Sequence, residues 1–234
     1  MTQGPRRLIS DSGNEAVWQP LKERHRQRVD KKSAVLRKAA RLFLAQGYNR
    51  TSLNDVAEQL NITKPAVYNY FASKDELLFE CFRLGHEMIL RQMTEILDSP
   101  ISGLEKVSRF IRAYARLMTT DYGACMVCLD ERELPDTSLQ KVRAFKRDID
   151  SRLREFVSAG IRDGSIARCD VKLTTFAIAG SLNWIGHWYR PEGVSPDRIG
   201  EEFVACFIAG IAETRPLSKV HKVKSTKARR KEAR

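Results

Sequence analysis

The chain has 234 residues, a formal net charge of +12, 42% hydrophobic residues and five cysteines. That length admits one large domain or two small ones around a sizeable core. No apolar run reaches the roughly 18 residues of a membrane-spanning helix, and the first twenty residues lack the apolar centre of a secretory signal. The expectation is therefore a cytoplasmic protein with no membrane partner.

The charge is localised. Residues 1–32 hold eight Lys/Arg against four Asp/Glu, and residues 215–234 hold nine against one, so the span between them is neutral. A basic disordered arm over 1–30 and a basic disordered tail over 215–234 are expected, both attractive to polyanions or simply solubilising. An odd cysteine count without a secretory signal argues against a disulfide framework. Cys125 and Cys128 form a C-x-x-C with neither a second such pair nor a neighbouring histidine pair. Buried packing is expected there, with no metal and no cofactor.

The periodicity is helical throughout. Ala34, Val35, Ala39, Leu42 and Phe43 mark an amphipathic helix that runs to about Gly47. Thr51 and Ser52 offer capping chemistry for a short helix with Leu53, Val56, Ala57 and Leu60 as its buried stripe. Asn61 and Thr63 break it, and Pro65 falls in the first turn of the next helix, "KPAVYNYF". Ser73 with Glu76 predicts a capping box for a long helix, and "DSPISG" (98–103) a turn or hinge. Beyond it four long helices are expected: one ending near Gly123, one stopped by Gly164, one ending at Pro191 and one beginning at Pro196. The fold class is all-α: a three-helix helix-turn-helix unit over 31–77 joined to a larger helical body over 78–214.

Two short helices across a tight turn, braced by a preceding helix, form a unit whose second helix enters the major groove. Val67 and Phe71, four residues apart, can point inward, which leaves Tyr68 and Asn69 outward and Lys64 and Ala66 near the helix start. Lysine suits guanine acceptors, asparagine suits adenine, and small apolar groups meet a thymine methyl. Tyr70 and Lys74 fit phosphate contacts, which position without reading sequence. Tyrosines packed inside an ordinary bundle are the alternative.

At "AARLFLAQGYNRTSLNDVAEQLNITKPAVYNYFASKDEL", residues 39–77, the chain resembles the TetR family of bacterial one-component transcriptional regulators. Asn61 stands where that family usually has glycine, and Asn tolerates the left-handed backbone. The resemblance implies a homodimer whose recognition helices bind a palindromic double-stranded DNA operator, with repression as the expected outcome. It implies that Thr63, Lys64, Pro65, Ala66 and Tyr68 face bases, with Asn69 nearby. Arg50, Thr51, Ser52, Tyr70 and Lys74 would hold phosphates. It also implies that the last two long helices pair with their copies, here through small residues such as Ala177, Gly180, Gly186 and Ala209.

Phe110, Tyr114 and Met118 on one helix, and Trp184 and Trp188 on another, each repeat every four residues and are candidate walls of a ligand pocket. Plain core is the alternative for each. "NWIGHWYRPEG" resembles the penultimate helix of TetR-type regulators of fatty-acid, steroid and other acyl-CoA catabolism, which implies a small-molecule effector of acyl-CoA type. Arg190, with Arg112, Arg116 and Arg147, are the cations available to a pyrophosphate. Motion of the 98–103 region and of the helix after Ser73 would couple pocket to DNA reader.

Four other readings stay open: a nonspecific or architectural DNA binder driven by its tails, a TetR-type regulator of a drug-efflux gene with an aromatic ligand, a purely structural helical scaffold, and an enzyme. The last finds little in the sequence. The four histidines are scattered, and there is no glycine-rich phosphate loop or nucleophile elbow.

Overall fold

The structure, a computed structural model, describes residues 15–209. Among the described residues nine α-helices and one 3-10 turn follow in order: α1 (Glu15–Gln46), α2 (Leu53–Gln59), α3 (Lys64–Tyr68), α4 (Lys74–Asp98), α5 (Gly103–Met118), α6 (Asp121–Cys128), the 3-10 turn Glu131–Glu133, α7 (Asp136–Asp163), α8 (Val171–Trp188) and α9 (Pro196–Ala209). No strand occurs among the described residues. The basic tail, 215–234, lies outside them. The basic arm does so only in part: α1 already begins at Glu15, so residues 15–30 are helical rather than the unfolded arm expected. Arg26, Arg28, Lys31 and Lys32 are exposed along that extension.

The N-terminal unit is built by stop and start signals that satisfy otherwise orphaned backbone groups. Gly47 takes φ +89° where α1 ends, a left-handed conformation that glycine adopts without strain. Ser52 and Asp55 form a reciprocal box at the start of α2: Asp55 N–H donates to Ser52 Oγ (3.2 Å) and Ser52 N–H to Asp55 Oδ2 (2.8 Å). In the turn before α3, Asn61 is left-handed at φ 52°, as its short amide side chain permits. Val35, Leu36, Ala39, Ala40 and Phe43 of α1 meet Val56 and Ala57 of α2, then Val67 and Phe71, in one buried cluster.

Two caps depart from the reciprocal pattern at α2. Thr63 is the N-cap residue of α3, but its side chain makes no capping hydrogen bond. At α4, Glu76 N–H donates to Ser73 Oγ (3.1 Å), whereas the Glu76 carboxylate accepts from Ala72 N–H (2.7 Å). The box thus reaches one residue further back than Ser73 itself.

In the body, α5 stops at Met118 and α6 is a separate helix, capped where Thr120 Oγ1 accepts from Gly123 N–H (3.0 Å). Gly123, expected to end the preceding helix, sits inside α6 instead. A Cβ there would lie 2.0 Å from the Leu117 carbonyl oxygen, so the close approach of the two helices requires glycine. Gly103 plays the same part where α5 crosses α7, since its Cβ would lie 1.9 Å from Gly160 N. The 98–103 turn is pinned there: Gly103 N–H donates to Asp163 Oδ2 (2.7 Å) and Leu104 N–H to Ser165 Oγ (3.1 Å). Gly164, at φ +79°, ends α7.

The C-x-x-C lies on α6. Cys125 is buried, with its thiol pushed well above its usual pKa by the neighbouring Cys81 thiol and by burial. All five cysteines are free, and no group of three or more possible metal ligands occurs among the described residues. No described helix is long and apolar enough to cross a membrane.

Candidate DNA-reading surface and ligand cavity

The turn that buries Val67 and Phe71, at 0% and 1% exposure, forces the other faces of α3 outward. Thr63, Lys64, Pro65, Tyr68 and Asn69 are exposed and Ala66 is half-buried. Tyr68 keeps 46% of its surface in solvent, and Lys64 Nζ lies 5.8 Å from its ring centroid. The result is a short, polar, donor-rich ridge backed by a rigid core, which can enter a groove and reach base edges.

The expected phosphate residues divide. Arg50 and Ser52 are exposed beside α2. Thr51 is not available: it is 2% exposed, and its hydroxyl donates to the Gly47 carbonyl (2.9 Å) while accepting from Gln46 Nε2 (3.2 Å). It locks the turn and presents nothing to a ligand. Tyr70 and Lys74 are half-buried. Lys74 Nζ donates to the Tyr48 carbonyl (3.1 Å) and sits 4.1 Å above the Tyr48 ring. Tyr48 itself donates to Asp75, and burial together with that carboxylate raises its phenol pKa far above the usual value.

A cavity of about 460 Å³ lies among α5, α6, α7 and α8, within the roughly 300–1,000 Å³ of small-molecule sites. Its apolar walls are Met126, Val127, Leu129, Ile149, Leu153 and Ala179. Tyr114, Asn183, Trp184 and His187 complete the inner surface, and Asp130, Glu131, Lys146 and Asp150 the charged rim. Each rim carboxylate has a cation. Glu131 pairs with Lys146, Asp130 with Arg132 at 2.7 Å, and Asp150 with Arg154 at 2.8 Å. The Arg132 pair holds the Asp130 carboxyl down at about 2. Deep in the cavity the Tyr114 hydroxyl donates to Asn183 Oδ1 at 2.9 Å. Gly180 leaves room, since a Cβ there would meet nothing within 4 Å.

The pocket residues expected from spacing scatter. Tyr114 and Trp184 line this cavity, but Phe110 is wholly buried core, its ring tilted against Tyr114 with centroids 5.1 Å apart. Met118 and Arg190 border a second cavity of about 410 Å³ beside α6. Trp188, 40% exposed, borders neither. Arg112 and Arg116 face α9, paired with Glu201 (2.8 Å) and Asp197 (2.5 Å). The sequence reading missed α6 and with it Met126 and Val127, and it passed over His187 of α8. The capping threonine followed by Asp121 was the available signal.

Two contacts join this cavity's walls to the N-terminal unit. Asn49 Nδ2 donates to Glu133 Oε1 (2.9 Å), one turn beyond the rim residues Asp130 and Glu131. Arg41 on α1 pairs with Asp121 of α6 at 2.9 Å. The 98–103 turn, expected to act with the helix after Ser73 in coupling pocket to reader, is tied to the end of α7.

Known proteins match over both units. The description "Bacterial regulatory proteins, tetR family" fits residues 35–81, and "Tetracyclin repressor-like, C-terminal domain" fits residues 100–211. Together they span more than half of the chain. The HTH-type transcriptional repressor KstR2 of Mycolicibacterium smegmatis is 24% identical over 195 residues, which is 80% of this chain and 94% of that protein. Among solved structures, the TetR family regulator PfmR from Thermus thermophilus superposes with a TM-score of 0.71 at 27% identity, covering 76% of this chain and 99% of that one. AibR, solved in complex with isovaleryl coenzyme A and operator DNA, shares the fold with a TM-score of 0.67 at 24% identity, covering 76% and 98%. These relatives are transcriptional regulators and not enzymes. The chain belongs to the TetR family of ligand-responsive, helix-turn-helix transcriptional repressors.

Proposed function

We propose that the chain acts as a homodimer on a palindromic operator and is released from it by an acyl-CoA or a closely related acyl metabolite. Leu173, Phe176, Gly180, Trp184 and Trp188 fall every three or four residues along α8, and the four large ones are 64%, 51%, 62% and 40% exposed. Phe207 and Ile208 add exposed apolar surface on α9. Such a continuous apolar stripe on a soluble protein calls for a partner helix pair, and a two-fold protein requires a two-fold DNA site. Gly186 takes no part in that stripe, because its Cβ position meets Val127 Cγ2 of α6 at 2.6 Å.

The observation that carries the reading is Trp184, which belongs to both the stripe and the cavity wall. A ligand there touches the dimer face directly. It also touches the Leu129–Glu131 segment, whose continuation holds Asn49. We place the coupling to DNA in α6 and that 3-10 turn. The apolar cavity takes the acyl group, and the CoA phosphates lie outside it, where Lys146 and the exposed Arg143 and Arg147 supply cations. AibR, the isovaleryl-CoA-bound neighbour of the same fold, supports this choice of ligand class.

The test is fluorescence anisotropy on DNA from the gene's own upstream region, with scrambled DNA as the control and octanoyl-CoA as the challenge. Saturable, sequence-dependent binding reversed by octanoyl-CoA supports the proposal, and light scattering gives the stoichiometry. Ala179→Leu, which narrows the cavity from a half-buried wall position outside the stripe, should keep DNA binding and lose the response. Equal binding to scrambled DNA, or a response that survives in Ala179→Leu, rejects it.

A further inference from the structure

We propose that Asn183 is the polar anchor of the cavity and that it selects effectors carrying a neutral oxygen acceptor, a carbonyl, on an otherwise apolar body. This rests on the cavity being the effector site. Tyr114 is 5% exposed, and its only side-chain hydrogen bond among the described residues runs from its hydroxyl to Asn183 Oδ1. Burial raises the phenol pKa far above its usual value, so the hydroxyl remains a donor at any physiological pH. A donor on Oδ1 fixes the orientation of the amide. The end left facing the cavity is Nδ2, which makes no hydrogen bond to any described residue.

The surroundings define what fits that N–H. Val127, Leu153 and Ala179 offer it no acceptor. The rim carboxylates are each engaged by a cation. An anionic group placed at Asn183 would find no lysine or arginine among the cavity's inner walls and three carboxylates at its mouth, whereas a cation would find each of them already paired. A carbonyl oxygen satisfies the amide without adding charge. A donor kept out of water and left without an acceptor is costly, so the same apolar ligand lacking that oxygen binds more weakly.

Calorimetry on the full chain with a matched pair tests this: the octanoyl thioester of N-acetylcysteamine and the corresponding S-octyl thioether, which lacks only the thioester carbonyl oxygen. Wild type should prefer the thioester by about tenfold. Asn183→Leu should bring the ratio to about one while thioether affinity stays within about twofold. The double variant Tyr114→Phe/Asn183→Leu removes both ends of the hydrogen bond and gives the same readout if the single variant folds poorly. A preference retained without Asn183, equal binding of the pair to wild type, or binding of neither overturns the anchor. If the preference depends on Asn183 while octanoyl-CoA leaves the DNA complex intact, the acyl-CoA reading fails and the anchor stands. DNA release by octanoyl-CoA without an Asn183-dependent preference overturns the anchor and leaves the acyl-CoA reading standing.

Discussion

Helices α3 and α8 both hold aromatic side chains out of the core, in opposite company. Tyr68 on α3 is 46% exposed among Thr63, Lys64 and Asn69, all exposed and polar. Trp184 on α8 is 62% exposed in line with Leu173, Phe176 and Trp188. An exposed ring therefore has no single meaning. Beside cations and amides it suits a hydrated anionic polymer, and within an apolar stripe it suits another apolar surface. The same residue class fits two kinds of partner, and its neighbours decide which.

The contrast can be broken most forcefully at the core beneath α3. Phe71→Ala, which empties a site at 1% exposure, should cost about 3–5 kcal/mol of stability, read as a fall in the denaturation midpoint. Tyr68→Ala on the opposite face should cost less than about 0.5 kcal/mol. Comparable losses would mean that Tyr68 is packing. Next, Lys64→Ala with Tyr68→Ala should weaken operator binding by about 2–4 kcal/mol while leaving scrambled-DNA binding nearly unchanged. A uniform loss on both DNAs would assign these residues to phosphates.

On α8, Leu173→Glu with Phe176→Glu should leave the monomer folded and cost dimerisation at least about 2 kcal/mol, visible as monomer in light scattering. A dimer unchanged at micromolar concentration would remove the stripe from the interface. The smallest effect is titration of His86, which is buried between α4 and α7, stacked on Phe145 at 4.4 Å with Asp148 at 3.7 Å. Burial, opposed by Asp148 and aided by Arg152, lowers its pKa below the ordinary 6.5. The folded state then binds fewer protons than the unfolded chain, so its stability is full above pH 6.5 and declines as pH falls from there toward the lowered value. His86→Leu should flatten that part of the stability–pH curve, and an unchanged slope would assign it to other groups.

The reader was legible in the sequence because its signals are local. Gly47, Ser52, Asn61 and Pro65 each act on backbone within a few residues, and Val67 and Phe71 fix the buried face by spacing alone. Thr51 shows the limit of that legibility. Its type and position suit a phosphate contact, yet its hydroxyl is consumed by Gly47 and Gln46, which only the folded chain reveals. The cavity was less legible. Spacing put Phe110, Tyr114 and Met118 on one helix face, but the packing of α6 and α8 buries one, leaves one lining the cavity and sends one to a different pocket. α6 itself, eight residues long, was too short to show a period.

By itself, then, the sequence determined the all-α class, the helix-turn-helix unit with its buried Val67 and Phe71, the basic termini and the family. These follow from backbone stereochemistry, helical period and net charge, which act over a few residues or need no geometry. Only the tertiary structure decided that residues 15–30 join α1, that Gly123 marks a helix crossing rather than a helix end, and that the buried Tyr114 hydroxyl meets Asn183 in the cavity wall. Those depend on distances between residues far apart in the chain, such as the 2.9 Å between Tyr114 and Asn183, which no local pattern encodes.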